Sequence, residues 1–103
     1  MIGAPVRLAR YLSVFLEEEP DVDLVEVVGD TEFRHDIVSE ILSGYSSGDP
    51  DFVEYGEKEE RQAAALLDRS VRRALHGGPL RGQRGVAVLV GTLATLMVEE
   101  EER

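Results

Sequence analysis

Cysteine and long apolar runs are both missing from this 103-residue sequence. Without cysteine the chain can form neither a disulfide framework nor a thiolate metal site. The longest apolar run, Val86–Val98, falls short of the roughly 20 residues that a membrane-spanning helix needs. The opening segment carries Arg7 and Arg10 where a signal peptide would have a continuous apolar stretch. We therefore expect a soluble protein that is not secreted and has no membrane partner.

Lysine is nearly absent, because Lys58 is the single lysine among 11 basic residues. The 21 acidic residues exceed the basic ones and give a formal net charge of −10. Such a balance repels nucleic acid and anionic membranes over most of the surface. A GC-rich genome would favour arginine over lysine. A halophilic source would account in addition for the acidic excess, since carboxylates keep a protein hydrated in concentrated salt.

Length and composition predict one domain over residues 1–103, with an acidic C-terminal tail at 99–103. The 43% of hydrophobic residues are enough for a modest core. A domain of this size leaves much of its surface exposed, so oligomerisation is a natural way to add stability.

Two helices follow from the spacing of apolar residues. The first is predicted over Ala4–Glu18, where leucine and phenylalanine recur every three or four residues and Pro20 blocks continuation. The second is predicted over Glu57–His76 and ends at the Gly77–Pro79 turn. Its apolar stripe consists of Ala64, Leu67, Val71, Ala74 and Leu75.

The segments between and after these helices favour a sheet. Val22–Val28 is short and β-branched, and is predicted as a strand. Thr31–Ser43 fits a helix or a strand, and Ser46–Asp51 is a turn-rich loop. Gly85–Val98 is apolar on both faces and rich in Val and Thr, which favours a buried strand bent at its internal glycine, although a buried helix also fits. The predicted fold is α/β (α+β), a small mixed sheet with the N-terminal helix and the second long helix packed on it. The alternative is an all-α bundle.

No pattern in the sequence indicates catalysis or a cofactor. His35 and His76 lie on separate segments and lack the spacing of a zinc site. Ser39, Ser43, Ser46, Ser47 and Ser70 have no nucleophile-elbow context. The glycine-rich basic loop His76–Gly85 lacks the Lys-Ser/Thr of a P-loop, and it follows a helix and does not open one. The end of a helix presents carbonyls to the loop, which disfavour an anion. We therefore expect no enzyme activity, no cofactor and no metal.

Arginine is concentrated in one part of the chain. The stretch Arg61–Arg84 holds six arginines against one acid, Asp68, a local balance of +5 that leaves −15 for the remainder. Such a polar charge distribution suits head-to-tail or ring assembly. Solvated arginines that complement a helix C-terminus are the alternative explanation. The candidate protein-interface residues are Arg69, Arg72, Arg73, Arg81 and Arg84.

The stretch Tyr55–Gly77 resembles the second helix of tail terminator (tail completion) proteins of long-tailed phages and archaeal tailed viruses. The likeness is carried by Val71-Arg-Arg-Ala-Leu-His-Gly77, followed by the glycine-rich and valine-rich segment 82–90. In that family a small α/β domain opens with an amphipathic helix. The resemblance therefore implies a sheet and favours a strand over Thr31–Ser43.

The resemblance also implies a function. A tail terminator or head–tail joining protein is a structural virion subunit, usually a hexameric ring, that caps the tail tube and joins it to the neck. Its partners would be copies of itself and other virion proteins of tail and neck, with no sequence-specific nucleic-acid contact. Its location would be the virion, assembled in the host cytoplasm. The alternative is an acidic, non-enzymatic binder or inhibitor that mimics nucleic acid and captures a basic protein.

Overall fold

Helices account for nearly all the regular structure of this protein. A computed structural model describes residues 3–45 and 57–101. The helices are α1 (Gly3–Glu18), α2 (Leu24–Gly29), α3 (Thr31–Tyr45), α4 (Glu57–Ala74) and α5 (Gly82–Glu101), with a 3₁₀ turn at Leu75–Gly77. Within these residues there is no strand, and the sole β-type pairing is an isolated antiparallel bridge between Asp23 and Arg81. The predicted loop Ser46–Asp51 lies outside the described residues.

The predicted mixed sheet is wrong, and the all-α alternative is the fold that the structure has. Val22–Val28, predicted as a strand, contains most of α2. Its buried residues Leu24, Val27 and Val28 follow helical spacing, and the Asp23 carboxylate caps the helix by accepting from the Val25 N–H at 3.0 Å. The β-branched content suggested a strand, but burial of one helical face outweighs that weak preference.

The apolar segment Gly85–Val98, predicted as a bent strand, is also helical and forms the middle of α5. Its residues Val86, Leu89 and Leu93 are buried at three- and four-residue spacing. A strand would have directed alternate residues to opposite faces, which does not fit this pattern of burial. The helix alternative for this segment is therefore correct, although the helix is buried on one side only.

Thr31–Ser43, for which the sequence left helix and strand open, lies in the helix α3. The Asp30 carboxylate accepts from the Glu32 N–H at 2.9 Å, as an N-terminal cap does. Ile37, Ile41 and Leu42 are buried on one side of the helix. The strand that the family resemblance implied here is wrong.

The core lies where α1 packs between α3 and α5, with α4 covering α3 and α5. α1 contributes Ala4, Leu8, Leu12 and Leu16, one residue per turn. The three leucines are buried as predicted, whereas Phe15 of the predicted apolar face is only partly buried. In α4, Leu67, Val71 and Ala74 are buried as predicted, whereas Leu75 follows the helix and is exposed. Among the described residues no helix combines the length and apolarity that a membrane span requires.

Aromatic side chains reinforce the contact between α1 and α3. Phe15 and Phe33 meet edge to face, with ring centroids 4.6 Å apart. Tyr11 packs beside Phe15, and its hydroxyl donates to Asp36 at 3.4 Å. Burial raises the pKa of Tyr11, and the carboxylate of Asp36 raises it further.

The start of α5 is fixed by a close approach of two backbones. A Cβ at Gly85 would lie 2.6 Å from the carbonyl carbon of Leu80, so only glycine fits there. The carbonyl oxygen of Leu80 in turn accepts from the Leu24 N–H at 2.9 Å. These contacts anchor the first turn of α5 against α2 and thereby set which side of α5 faces outward.

Candidate protein-interaction site

Two of the predicted interface arginines are bound to the end of their own chain. Arg73 of α4 lies 3.2 Å from the carboxylate of Glu99, and Arg69 forms an ion pair with Glu100. Both glutamates belong to the last turns of α5, so this part of the acidic tail is held within the chain.

The other three predicted arginines behave differently. Arg72, Arg81 and Arg84 are exposed, and none of them forms an ion pair or side-chain hydrogen bond with another described residue. Arg81 and Arg84 lie together at the start of α5. The structure thus divides the predicted set into an internally paired group and an unpaired one.

The outward side of α5 is a surface that sequence reasoning missed. We define the outer face of α5 by five exposed residues without charge, Ala87, Val88, Gly91, Thr95 and Val98. Val98 is 53% exposed and Val88 is 37% exposed. No charged residue occurs from Gly85 to Val98, although charged residues make up 31% of the chain. The sequence signal was visible as a segment apolar on both faces, but it was interpreted as complete burial.

The polar atoms near this face are already satisfied. The Thr95 hydroxyl donates to the carbonyl of Gly91 at 2.9 Å, and the Thr92 hydroxyl donates to the carbonyl of Val88 at 2.7 Å. Both bonds turn a hydroxyl back onto its own helix. Covering the outer face of α5 with another apolar surface would therefore leave neither hydroxyl without a partner.

Gly91 lies at the centre of the outer face, halfway along the 20 residues of α5. Its φ angle is not positive, and a Cβ added there would meet nothing within 4 Å. Glycine in a helix interior costs about 1 kcal/mol relative to alanine. No packing or backbone requirement among the described residues explains this cost.

A groove between α1 and α5 extends the apolar surface. It is a shallow depression of about 550 Å³ lined mainly by apolar atoms, with Val6, Ala9 and Val14 on one side and Val90 on the other, and the charged Arg10 and Glu17 also line it. Val14 is 63% exposed, one of the most exposed large apolar side chains described. The outer face of α5 and this α1–α5 groove together form the candidate interaction site.

A separate cleft, lined by charged, polar and apolar side chains, lies between α3 and α4. It encloses about 530 Å³ and brings together Arg34, His35, Glu60 and Arg61, a grouping that the sequence did not predict. Arg34 is paired with Asp68 at 2.8 Å, and Arg61 is paired with a glutamate at 3.2 Å. Both cations are thus neutralised locally. Thr31 and Ser39 also line the cleft, but among the described residues neither hydroxyl is hydrogen-bonded to His35 as an activated nucleophile would be to its base.

Other candidate chemistry is dispersed in the described part of the chain. Ser70 is buried, and its hydroxyl donates to the carbonyl of Leu66 at 2.8 Å. His35 lines the α3–α4 cleft, whereas His76 lies in the 3₁₀ turn. Across the described ranges no group of three or more residues of metal-ligand type is arranged so that it could hold a metal ion.

The loop His76–Gly85 does open a helix, because α5 begins within it at Gly82. The prediction that the loop only follows a helix is therefore wrong. Gly78 and Gly82 adopt positive φ angles of 112° and 62° that suit glycine. The loop therefore delivers amides and Arg84 to a helix start. No buried side-chain atom in the described residues lacks a partner, so nothing there indicates a bound anion.

Comparison with family models, with curated proteins and with solved structures yields no match for this chain. The geometry of the molecule itself therefore carries the functional interpretation. Its most distinctive element is an uncharged helix face, flanked by an apolar groove and two unpaired arginines, on a protein whose net charge is −10.

Proposed function

We propose that this chain is a non-enzymatic structural subunit that associates with copies of itself through the outer face of α5 and the adjoining α1–α5 groove. The observation that carries the proposal is the uncharged outer face of α5. Apolar helix faces of this kind are typical of homo-oligomer interfaces, whose centres are depleted in charge.

The net charge of the chain makes the association of its copies depend on salt concentration. Copies that each carry −10 repel one another, and this repulsion opposes assembly at low salt. At molar salt the screening length falls to about 3 Å, which removes most of the long-range repulsion. An apolar contact is not weakened by the same change. Association that strengthens with salt is therefore the expected behaviour.

The tail-terminator or head–tail joining role is a more specific form of this proposal. A ring that caps a tail tube in a virion would need self-association of this kind, and Arg72, Arg81 and Arg84 are free to contact neighbouring subunits. That role stays a prediction. The sheet that the resemblance implied is absent from the described residues, so the proposal rests on α5 and not on the family likeness.

The test is the molar mass of the purified protein by light scattering, over a concentration series at low and at molar salt. We expect a discrete oligomer that is favoured by molar salt. Ala87→Glu places a charge on the outer face of α5 and should weaken association at least tenfold, about 1.4 kcal/mol. Ala65→Glu is the matched control, because Ala65 is an exposed alanine on α4 and the substitution is identical. A monomeric wild type in both salts, or equal loss in both variants, would contradict the proposal.

An acidic binder remains a second candidate because of one surface region. The segment Glu17–Glu32 carries eight acidic residues and no basic one, and within the described residues none of the eight forms an ion pair. Such a region suits a basic, nucleic-acid-binding protein. This function predicts a monomer or dimer whose affinity for that partner falls steeply with salt, the opposite salt dependence to self-association. Titration of a basic protein at two salt concentrations distinguishes the two.

A further inference from the structure

We propose that α5 of one copy packs antiparallel across α5 of a second copy, with the two helices crossing at Gly91. This inference rests on the proposed self-association and adds its geometry. The occupant of the outer face of α5 is then the same face of a second molecule, related by a two-fold axis.

Gly91 supplies the first argument. Within the described residues nothing requires a glycine at this position, yet the helix bears the cost of having one. A glycine at the centre of an exposed helix face does allow a second backbone to come close. Contact with another helix at Gly91 therefore explains a residue that contacts within the chain leave unexplained.

The position of Gly91 supplies the second argument. A two-fold axis through the middle of α5 matches residues that lie at equal distances before and after Gly91. It places Ala87 of one copy level with Thr95 of the other, and Arg84 level with Val98. Ala87, Gly91 and Thr95 of the outer face then meet the same uncharged part of the second copy, as an isologous contact requires, whereas Val98 lies level with an arginine.

The charges at the two ends of α5 supply the third argument. They decide whether the two helices run parallel or antiparallel. The N-terminal end carries Arg81 and Arg84, which have no partner among the described residues, and the C-terminal end carries Glu99, Glu100 and Glu101. Two own-chain arginines pair with two of these glutamates, so the C-terminal end keeps an excess of negative charge.

Antiparallel packing brings the basic end of each helix to the acidic end of the other and also opposes the two helix dipoles. Parallel packing would place arginine beside arginine and glutamate beside glutamate. Charge at such partly exposed sites contributes little to affinity, but it decides between the two orientations.

The native chain has no cysteine, so single introduced cysteines report the geometry without background. Ala87→Cys and Thr95→Cys are small changes at exposed positions on the outer face. Along one helix these positions are about 12 Å apart, since each residue adds about 1.5 Å. Each variant is treated with a short bis-maleimide, alone and in an equal mixture, after light scattering has established its mass. Val14→Cys on α1 serves as the control for random collision, because Val14 is well exposed and lies off α5.

We expect the mixture to give crosslinked dimers several-fold more efficiently than either variant alone, because residue 87 meets residue 95 of the other copy. Efficient crosslinking of each variant with itself would show parallel packing and overturn the inference. An oligomer by light scattering that crosslinks no better than the Val14→Cys control would place the interface elsewhere and also overturn it. In both cases the proposed self-association survives, whereas a monomeric mass under all conditions overturns the two proposals together.

Discussion

Helices α4 and α5 have similar lengths but opposite distributions of charge. α4 has Glu57, Glu59 and Glu60 in its first turn and Arg72 and Arg73 in its last, the arrangement that the helix dipole favours. α5 has Arg84 in its first turn and glutamates in its last, the arrangement that the dipole disfavours. The outward side of α4 is charged, and the outer face of α5 has no charge.

This difference separates the sequence features that contacts within one chain explain from those that such contacts leave unexplained. Contacts within the described residues explain the apolar and the charged side of α4. Its inner face joins the core, and its charges either complement the helix dipole or pair with the carboxylates of α5. The inner face of α5 is explained in the same way. Its outer face, its central glycine and its first-turn arginine, which has no partner among the described residues, are not explained in this way, and the proposed contact with a second molecule would account for all three.

α4 and α5 are alike in having one buried face that forms part of the core. Substitutions on these faces should have the largest effect on stability. Val71→Asp introduces an unpaired charge into the buried side of α4, a change that typically costs about 3–5 kcal/mol. We expect the domain to unfold, as measured by circular dichroism during thermal and urea denaturation. Arg72→Asp is the control at the adjacent exposed position. A Val71→Asp protein that folds with an unchanged melting midpoint would show that the inner face of α4 is assigned wrongly.

Gly91→Ala should have two smaller effects of opposite sign, a more stable monomer and a weaker self-association. Alanine should stabilise the isolated monomer by up to about 1 kcal/mol, because a helix-interior glycine is removed and the Cβ enters open space. The same Cβ should weaken self-association, because it separates two helices that cross there. Urea denaturation at low concentration measures the first effect, and light scattering measures the second. If association is unchanged, Gly91 is not at the crossing point.

The smallest effect is expected where α4 and α5 neutralise each other's charge. Glu100→Gln removes one partner of Arg69, and both side chains are nearly half exposed. Since exposed ion pairs are screened by water and salt, we expect a loss of only about 0.2–1 kcal/mol in the free energy of unfolding. The loss should shrink at molar salt. Glu17→Gln is the control, because Glu17 has no ion pair among the described residues. Equal losses in the two variants would mean that the Arg69–Glu100 pair adds nothing.

Sequence reasoning succeeded for α1 and α4 because both are amphipathic, with one apolar and one polar side that give a clear helical period. It failed for α2 and α5 for different reasons. α2 is only six residues long, too short for a period to stand out from β-branched composition. α5 is apolar all round, and without a polar side the period disappears. The five candidate arginines are close together in the sequence, but the structure places Arg69 and Arg73 against the end of α5 and Arg81 and Arg84 at its start. This division depends on where the end of α5 lies, which local pattern does not give.

The sequence by itself determined the charge of the chain, the absence of disulfides and thiolate sites, and the two amphipathic helices, because these depend on composition or on local periodicity. The tertiary structure alone decided that α5 is a helix with one side exposed, that Glu99 and Glu100 reach Arg73 and Arg69, and that Gly91 lies at the centre of an open face. These features depend on contacts between residues far apart in the chain, which local pattern does not encode. Packing of α5 against α1, α2 and α4 selects which of its two apolar sides is buried and leaves the other exposed.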